Sequence, residues 1–129
     1  GIINNGNTIF DIEVKNASIN TSNGTINWQS TTYWEWINGK STVEISDDIY
    51  TILGTSSGNG ANGNAFITTI TDKLKLDFSC LPYCVITSGV VKVSPDGYSD
   101  RNINYGDSLC DCNVEVIVNE ELYPLTILN

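Results

Sequence analysis

The chain has 129 residues and a mass of 14.1 kDa, which is the size of one domain. Six basic residues against fifteen acidic residues give a formal net charge of −9 at pH 7. This charge argues against binding to nucleic acid or to an anionic membrane surface, because both need clustered Lys and Arg. The sequence contains no His, so the commonest general base and zinc ligand is missing. We therefore expect one non-enzymatic domain over residues 1–129 that needs no cofactor.

The composition indicates an exported protein. Asn, Ser and Thr make up roughly a third of the chain, while charged residues are only 16%. The first residue is Gly1 rather than Met, as expected of a mature chain whose export signal has been removed. No apolar run approaches the roughly 20 residues of a membrane-spanning helix. The sequence therefore predicts an extracellular or outer-surface location without a membrane span.

Alternation of apolar and polar residues with a period of two recurs along the chain and predicts β-strands. The runs are, in chain order, Thr8–Val14, Thr25–Ser30, Thr31–Ile37, Ile49–Leu53, Ala65–Ile70, Leu74–Phe78, Val85–Thr87, Val90–Val93, Asn102–Tyr105, Val114–Val118 and Tyr123–Ile127. No stretch of twelve residues keeps an apolar stripe of helical period. About ten short strands predict an all-β antiparallel sandwich or barrel-like domain.

Turn-forming residues separate the runs. They are Ser22-Asn23-Gly24, Asn38-Gly39, Pro95-Asp96-Gly97 and the hairpin step Asn119-Glu120. The stretch Gly54–Gly63 is predicted to be one long flexible connector. Pro124 lies inside the last run, and since proline cannot donate to a strand ladder, it predicts an edge strand or a bulge.

Four cysteines form two close pairs, Cys80 with Cys84 and Cys110 with Cys112. An even number of cysteines in an exported chain indicates disulfides. The alternative is a four-thiolate metal site, but zinc sites prefer two residues between paired cysteines, and neither spacing here fits. On a strand, the side chains of Cys110 and Cys112 point to opposite faces, which suits two separate bridges. We expect bridges between the two pairs, each closing a loop of about 30 residues, with the connectivity left open.

Several strings in the sequence resemble a known group of proteins. They are Glu35-Trp36-Ile37 with Gly39, Asp48-Ile49-Tyr50 with Ile52 and Gly54, and Tyr105-Gly106-Asp107 leading to Cys110-Asp111. Together they are similar to uncharacterised secreted and lipid-anchored β-proteins of flavobacteria and other Bacteroidota, over about residues 25 to 128. The chain departs from that pattern at Ser108 and Leu109, where the group has Gly and Thr. The resemblance implies an exported β-fold and carries no activity.

The departure from the pattern creates a candidate modification site. Asp107-Ser108-Leu109 resembles the Asp-Ser/Thr-apolar acceptor on which Bacteroidota place O-linked glycans on exported proteins. Ser108 is therefore a candidate for glycosylation, and the alternative is that it is a turn residue beside Cys110.

The acidic residues offer a weak candidate for calcium. Asp96 and Asp100 are the first place to expect oxygen ligands for Ca²⁺, although their spacing matches no calcium loop. Asp96-Gly97 is equally an ordinary turn dipeptide. We expect no other metal.

The densest aromatic region is the candidate for ligand binding. Trp34 and Trp36 share one face of an extended strand, while Tyr33 and Glu35 share the other. Exposed aromatic rings stack on sugars, and Glu35 would accept hydrogen bonds from hydroxyl groups. The alternative is that the tryptophans pack in the core, which is favoured for Trp36 and evenly balanced for Trp34.

Three functions remain. The first is a structural or adhesive protein of the cell surface, with other surface proteins or glycans as partners. The second is a fibre or filament in which one copy exchanges a strand with the next. The candidate strands are residues 8–15, after a polar lead over residues 1–7, and the last run, Leu122–Leu128. The third is a carbohydrate-binding module that uses Tyr33, Trp34 and Glu35.

Overall fold

Eight β-strands follow one another in one antiparallel sheet, and their order in space is their order in the chain. The computed structural model describes residues 8–127, so the predicted polar lead over residues 1–7 and the last residue of the run Leu122–Leu128 lie outside the described residues. The strands are β1 Ile9–Thr21, β2 Gly24–Asn38, β3 Ile49–Asn59, β4 Ala65–Asp77, β5 Ile86–Pro95, β6 Arg101–Asp107, β7 Asn113–Val118 and β8 Glu121–Thr126. A short 3₁₀-helix, Phe78–Cys80, follows β4. The prediction of an all-β antiparallel fold is confirmed. No helix within residues 8–127 is long and apolar enough to cross a membrane.

The structure has eight strands rather than about ten because three pairs of predicted runs are continuous. Residues 25–37 lie in β2, residues 65–77 in β4, and residues 86–93 in β5. The polar breaks between the runs do not interrupt the strands, because ladder hydrogen bonds use the backbone and not the side chains. The predicted connector Gly54–Gly63 is also wrong, since β3 continues to Asn59 and only residues 60–64 form the loop.

The expected sandwich or closed barrel is not shown. Within the described residues there is one sheet, with β1 at one edge and β8 at the other. The prediction that Pro124 lies on an edge strand is confirmed, because β8 pairs with β7 alone. The hairpin at Asn119-Glu120 is confirmed as well. Both residues have positive φ, 52° and 67°, as a two-residue turn between right-twisted strands requires.

Cross-strand register gives the sheet one apolar face. Its members include, in strand order, Phe10, Ile12, Val14, Ile19, Trp34, Trp36, Tyr50, Ile52, Leu74, Leu76, Val91, Val93, Ile103, Tyr105, Val114, Val116, Tyr123 and Leu125. The opposite, polar face carries mainly Thr, Ser, Asn and charged residues. This is the usual division for an antiparallel sheet with one face against a core.

The core lies at the middle of the sheet. Ile52, Leu74, Leu76 and Val91 form the buried cluster, and rings from neighbouring strands pack around it. No second sheet covers this face among the described residues, and the connection after β4 contributes Phe78 and Val85 to the packing around the cluster. Bulges interrupt the register of most strand pairs, and bulges increase local bending and twist.

Glycine permits close strand contact at two of these irregularities. Gly54 has φ +149°, and a Cβ placed there would lie 2.2 Å from the carbonyl oxygen of Thr31 in β2. Gly89 has φ +112°, and its Cβ would lie 2.5 Å from the carbonyl oxygen of Lys73 in β4. No other residue type fits at either position without moving the neighbouring backbone.

Candidate functional site

Two disulfides join the connections at one end of the sheet. Cys80 is bonded to Cys110 and Cys84 to Cys112, with Cα–Cα distances of 5.3 and 5.2 Å. The prediction of bridges between the two pairs is confirmed. None of the four thiols is free, so no thiolate is left to bind a metal. The expectation that the second pair lies on a strand is wrong, because Cys110 and Cys112 precede β7, and Cys112 has φ 57°.

The disulfides anchor the loops rather than form a reactive centre. Cys80 is 2% exposed and belongs to the core. The backbone N–H of Ser108 donates to the carbonyl of Thr87 at 2.9 Å, which holds the end of β6 against β5. The connection between β4 and β5 is therefore fixed to the connection between β6 and β7.

The candidate trio Tyr33, Trp34 and Glu35 is divided between the two faces of the sheet. Tyr33 pairs with Leu53 on the polar face and is half exposed. Trp34 pairs with Ile52 on the apolar face, packs edge-on against Tyr50 and donates its indole N–H to Thr32 Oγ1 at 3.1 Å. The structure therefore places Trp34 around the core and leaves Tyr33 and Glu35 on the polar face.

Trp36 lies in the core, in an aromatic cluster whose four rings come from four segments of the chain. Its ring stacks on Tyr50 with centroids 5.5 Å apart and contacts Phe10 at 6.4 Å. Tyr50 in turn packs edge-on against Phe78. Burial, and secondarily the nearby carboxylate of Asp48, raise the pKa of Tyr50. This cluster fastens β1 to the middle of the sheet and has no exposed reactive group.

Of the two calcium candidates, Asp100 is held by other interactions. Asp100 forms an ion pair with Lys92 at 3.3 Å. A hydrogen bond from Ser94, together with one from Lys92, holds the pKa of Asp100 below its usual value. Asp96 is exposed in the turn after β5. Within residues 8–127 no group of three or more His, Cys, Asp or Glu side chains is placed to hold a metal ion.

Ser108 lies on the surface, in the connection between β6 and β7. Ser108 is exposed, and its positive φ of 76° is typical of a residue in a tight turn. Its neighbour Leu109 is also exposed. The position is accessible to a modifying enzyme, and glycosylation of Ser108 stays a prediction.

The most unusual surface lies at the two edges of the sheet, where the apolar face is uncovered. Four of its members are large and exposed: Ile12 is 40% exposed, Ile19 52%, Tyr123 48% and Leu125 54%. All of β8 is exposed. We call these four side chains the apolar rim. Apolar side chains on an unpaired strand edge are typical of a surface that associates with another strand.

The two edges differ in the backbone groups that they offer. The two-residue hairpin makes Val118 and Glu121 a hydrogen-bonded pair, and the pattern then alternates along the strand. Pro124, opposite Glu115, therefore lies at a position whose backbone nitrogen faces outward. The proline costs β8 no bond to β7 but removes one donor from the free edge. In β1, the amides of Asp11 and Glu13 face outward by the same alternation, since the carbonyl of Thr8 accepts from the Trp36 amide.

Sequence reasoning found the strands that form the edges but not how much of the apolar face they leave open. Alternation shows which side chains share a face, and it does not show whether a second layer covers that face. The burial of Asp48 beneath Trp36 gave no sequence signal either. Comparisons with protein-family models, with curated proteins and with solved structures found no match.

Proposed function

We propose that the protein is a non-enzymatic structural or adhesive protein of the cell exterior that assembles with copies of itself through the edges of its sheet. The observation that carries this proposal is the apolar rim on an open meander. A closed barrel has no edges and a sandwich covers its apolar faces. Within residues 8–127, both edges combine exposed apolar side chains with backbone groups that have no neighbouring strand.

The exterior location is supported by cysteine usage and composition. All four cysteines are in disulfides, and such bonds persist in oxidising compartments outside the cytoplasm. The resemblance to exported β-proteins of Bacteroidota points the same way, and the chain is rich in Asn, Ser and Thr. A surface protein that works by contact needs no reactive centre.

Association has a clear physical driving force. Burying the rim against a neighbouring copy removes large apolar side chains from water, at about 25 cal/mol per Å². Added backbone hydrogen bonds supply direction and register. The net charge of −9 opposes close approach of copies at low ionic strength. We therefore expect assembly to strengthen with added salt.

The proposal is tested by sedimentation velocity and negative-stain imaging of the oxidised protein over a range of concentrations. Polymers are expected at high concentration, and Leu125→Gln is expected to reduce them. The matched control is Leu109→Gln, because Leu109 is 56% exposed but lies in the connection between β6 and β7 and not on either edge strand. A protein that stays monomeric at every concentration and salt level would remove the proposal.

A second candidate is carbohydrate binding on the polar face, supported by one observation. Tyr33 lines a shallow cleft of about 120 Å³ together with Glu35, Leu53 and Lys73. An exposed ring beside an acceptor and a donor is a small version of a sugar-binding surface. A glycan array followed by Tyr33→Ala tests it, with Tyr98→Ala as the control, because Tyr98 is also exposed but lies outside the cleft. Binding that survives Tyr33→Ala would remove this candidate.

A further inference from the structure

We propose that copies join head to tail, with β8 of one copy pairing antiparallel with residues 9–14 of β1 in the next. This inference rests on the proposed self-assembly and specifies its interface. The product is a continuous sheet in which β8 of one copy is followed by β1 of the next copy.

The two segments match in length. β8 has six residues, Glu121–Thr126. In β1 the regular pairing from Ile9 to Val14 is likewise six residues long, and it ends where the register shifts between Val14 and Ala17. Asn16 within this bulge has φ 54°. Because a bulge re-aims the strand, it limits the straight part of the edge to this first segment.

The outward backbone groups also match. On β8 the residues that face outward are Leu122, Pro124 and Thr126, and on β1 they include Asp11 and Glu13. All of these side chains lie on the polar face of their own sheet. Antiparallel partners directly opposite each other share a face. When the edges join, the polar faces of the two copies therefore form one continuous polar face, and their apolar faces form one continuous apolar face.

One register aligns the whole of both segments. It sets Thr126 opposite Ile9 and Glu121 opposite Val14, with Tyr123 opposite Ile12 and Leu125 opposite Phe10 between them. The aromatic and aliphatic pairs then cover each other on the apolar side, where such cross-strand pairs are most favourable. A shift of one residue would place the apolar members of one strand against the polar members of the other.

Charge and proline disfavour the two symmetric alternatives. Pairing β1 with β1 of another copy brings Asp11 and Glu13 from both chains together on one face. Pairing β8 with β8 of another copy places Pro124 in both strands, so that each strand lacks one backbone N–H donor. In the head-to-tail arrangement the polar face of β8 offers no charge against Asp11 and Glu13, and only one donor is missing.

The same head-to-tail contact can be repeated from one copy to the next. In the meander β1 and β8 run in opposite directions. An antiparallel partner for β8 therefore runs in the same direction as β1 of its own chain. Each copy repeats the orientation of the last, which is a heterologous contact that extends into a filament unless it closes into a ring.

The test mixes two variants, each blocked at one edge. Ile12→Glu blocks β1, and Leu125→Glu blocks β8. Each variant alone should sediment as a monomer, and an equimolar mixture should form dimers and nothing larger. Self-association of Leu125→Glu alone would show β1–β1 pairing, and self-association of Ile12→Glu alone would show β8–β8 pairing. Either result overturns the inference while leaving self-assembly intact.

Two substitutions of opposite charge, at Leu122 and Glu13, test the register. Both positions are exposed on the polar face, so the changes should have little effect on folding. Leu122→Glu places a carboxylate opposite Glu13 and should weaken assembly by up to about fivefold at low salt. Adding Glu13→Lys in the same chain should restore it. Circular dichroism confirms that each variant is folded. Failure of the second change to restore assembly contradicts this register, whereas a wild-type protein that never associates removes the proposed function itself.

Discussion

The indole nitrogen of Trp36 donates a hydrogen bond to Oδ1 of Asp48 at 3.3 Å, with both side chains 5% exposed. The bond ties β2 to the segment just before β3. The backbone carbonyl of Asp48 also accepts from the amide of Phe78 at 3.0 Å, which ties the segment to the 3₁₀-helix that follows β4. A buried carboxylate is costly unless it accepts hydrogen bonds. Trp36 therefore anchors the loop between β2 and β3 through its polar atom as well as through its ring.

Replacing Trp36 by Phe tests the polar part of this contact. The change keeps an aromatic ring near Tyr50 but removes the donor to Asp48, and the free energy of unfolding should fall by about 2–3 kcal/mol. Asp48→Asn retains an acceptor oxygen and should cost less. Urea unfolding of the three proteins gives the comparison. If the Asn variant is the less stable of the two, the indole bond is not the main contribution.

Gly54 tests the close approach of β3 to β2. Gly54→Ala places a Cβ against the backbone of Thr31 and forces an L side chain to positive φ, so it should cost about 2–3 kcal/mol. The matched control is Gly60→Ala, where a new Cβ would meet the flexible side chain of Asn62 first, at 3.4 Å. The control should change stability little. Similar midpoints of thermal unfolding for both variants would contradict the account of this bulge.

The two disulfides should differ in their contribution to stability. Cys80→Ala with Cys110→Ala removes a bridge whose first sulfur is buried, and should cost about 3 kcal/mol through loop entropy, with an added loss of packing. Cys84→Ala with Cys112→Ala removes a more exposed bridge that closes a similar loop, and should cost less. Denaturant unfolding under non-reducing conditions measures both. If removing the Cys84–Cys112 bridge lowered the stability more, the assignment of Cys80 to the core would be contradicted.

Stability should fall at alkaline pH. Burial raises the pKa of Tyr105 above its usual value of 10.0, and the pKa of Tyr50 shifts in the same direction. The folded protein therefore favours the neutral phenol. The resulting stability is fully present below pH about 10 and is lost as pH rises through the raised pKa. Urea midpoints at pH 8 and pH 10.5 should differ, and the difference should shrink in Tyr105→Phe. An unchanged difference would exclude Tyr105 as a source.

The sequence was sufficient to predict the class of the fold because strand alternation depends on neighbouring residues. Pro124 and Asn119-Glu120 also carried reliable local information, since proline removes a donor and a two-residue hairpin needs positive φ. Strand continuity was harder to predict. Residues such as Thr71 and Ser88 lie between the predicted runs, while their backbones remain within strands.

The candidate site was predicted less completely because it depends on tertiary burial. Alternation correctly separated Tyr33 from Trp34, but only the packing of Trp34 against Tyr50 shows which face is covered. The exposure of Leu125 was not predictable from the sequence for the same reason, because it also depends on tertiary burial. Its place in an apolar run is the same whether a second layer covers β8 or not.

Hydrogen–deuterium exchange at increasing protein concentration tests the central claim most directly. The outward amides of Asp11 and Glu13 in β1, and of Leu122 and Thr126 in β8, should exchange quickly in dilute solution and become protected together as copies associate. The amides of Leu74 and Val91, in the middle of the sheet, should stay protected throughout. Edge amides that exchange at the same rate at every concentration, in a protein whose central strands are protected, would contradict the account.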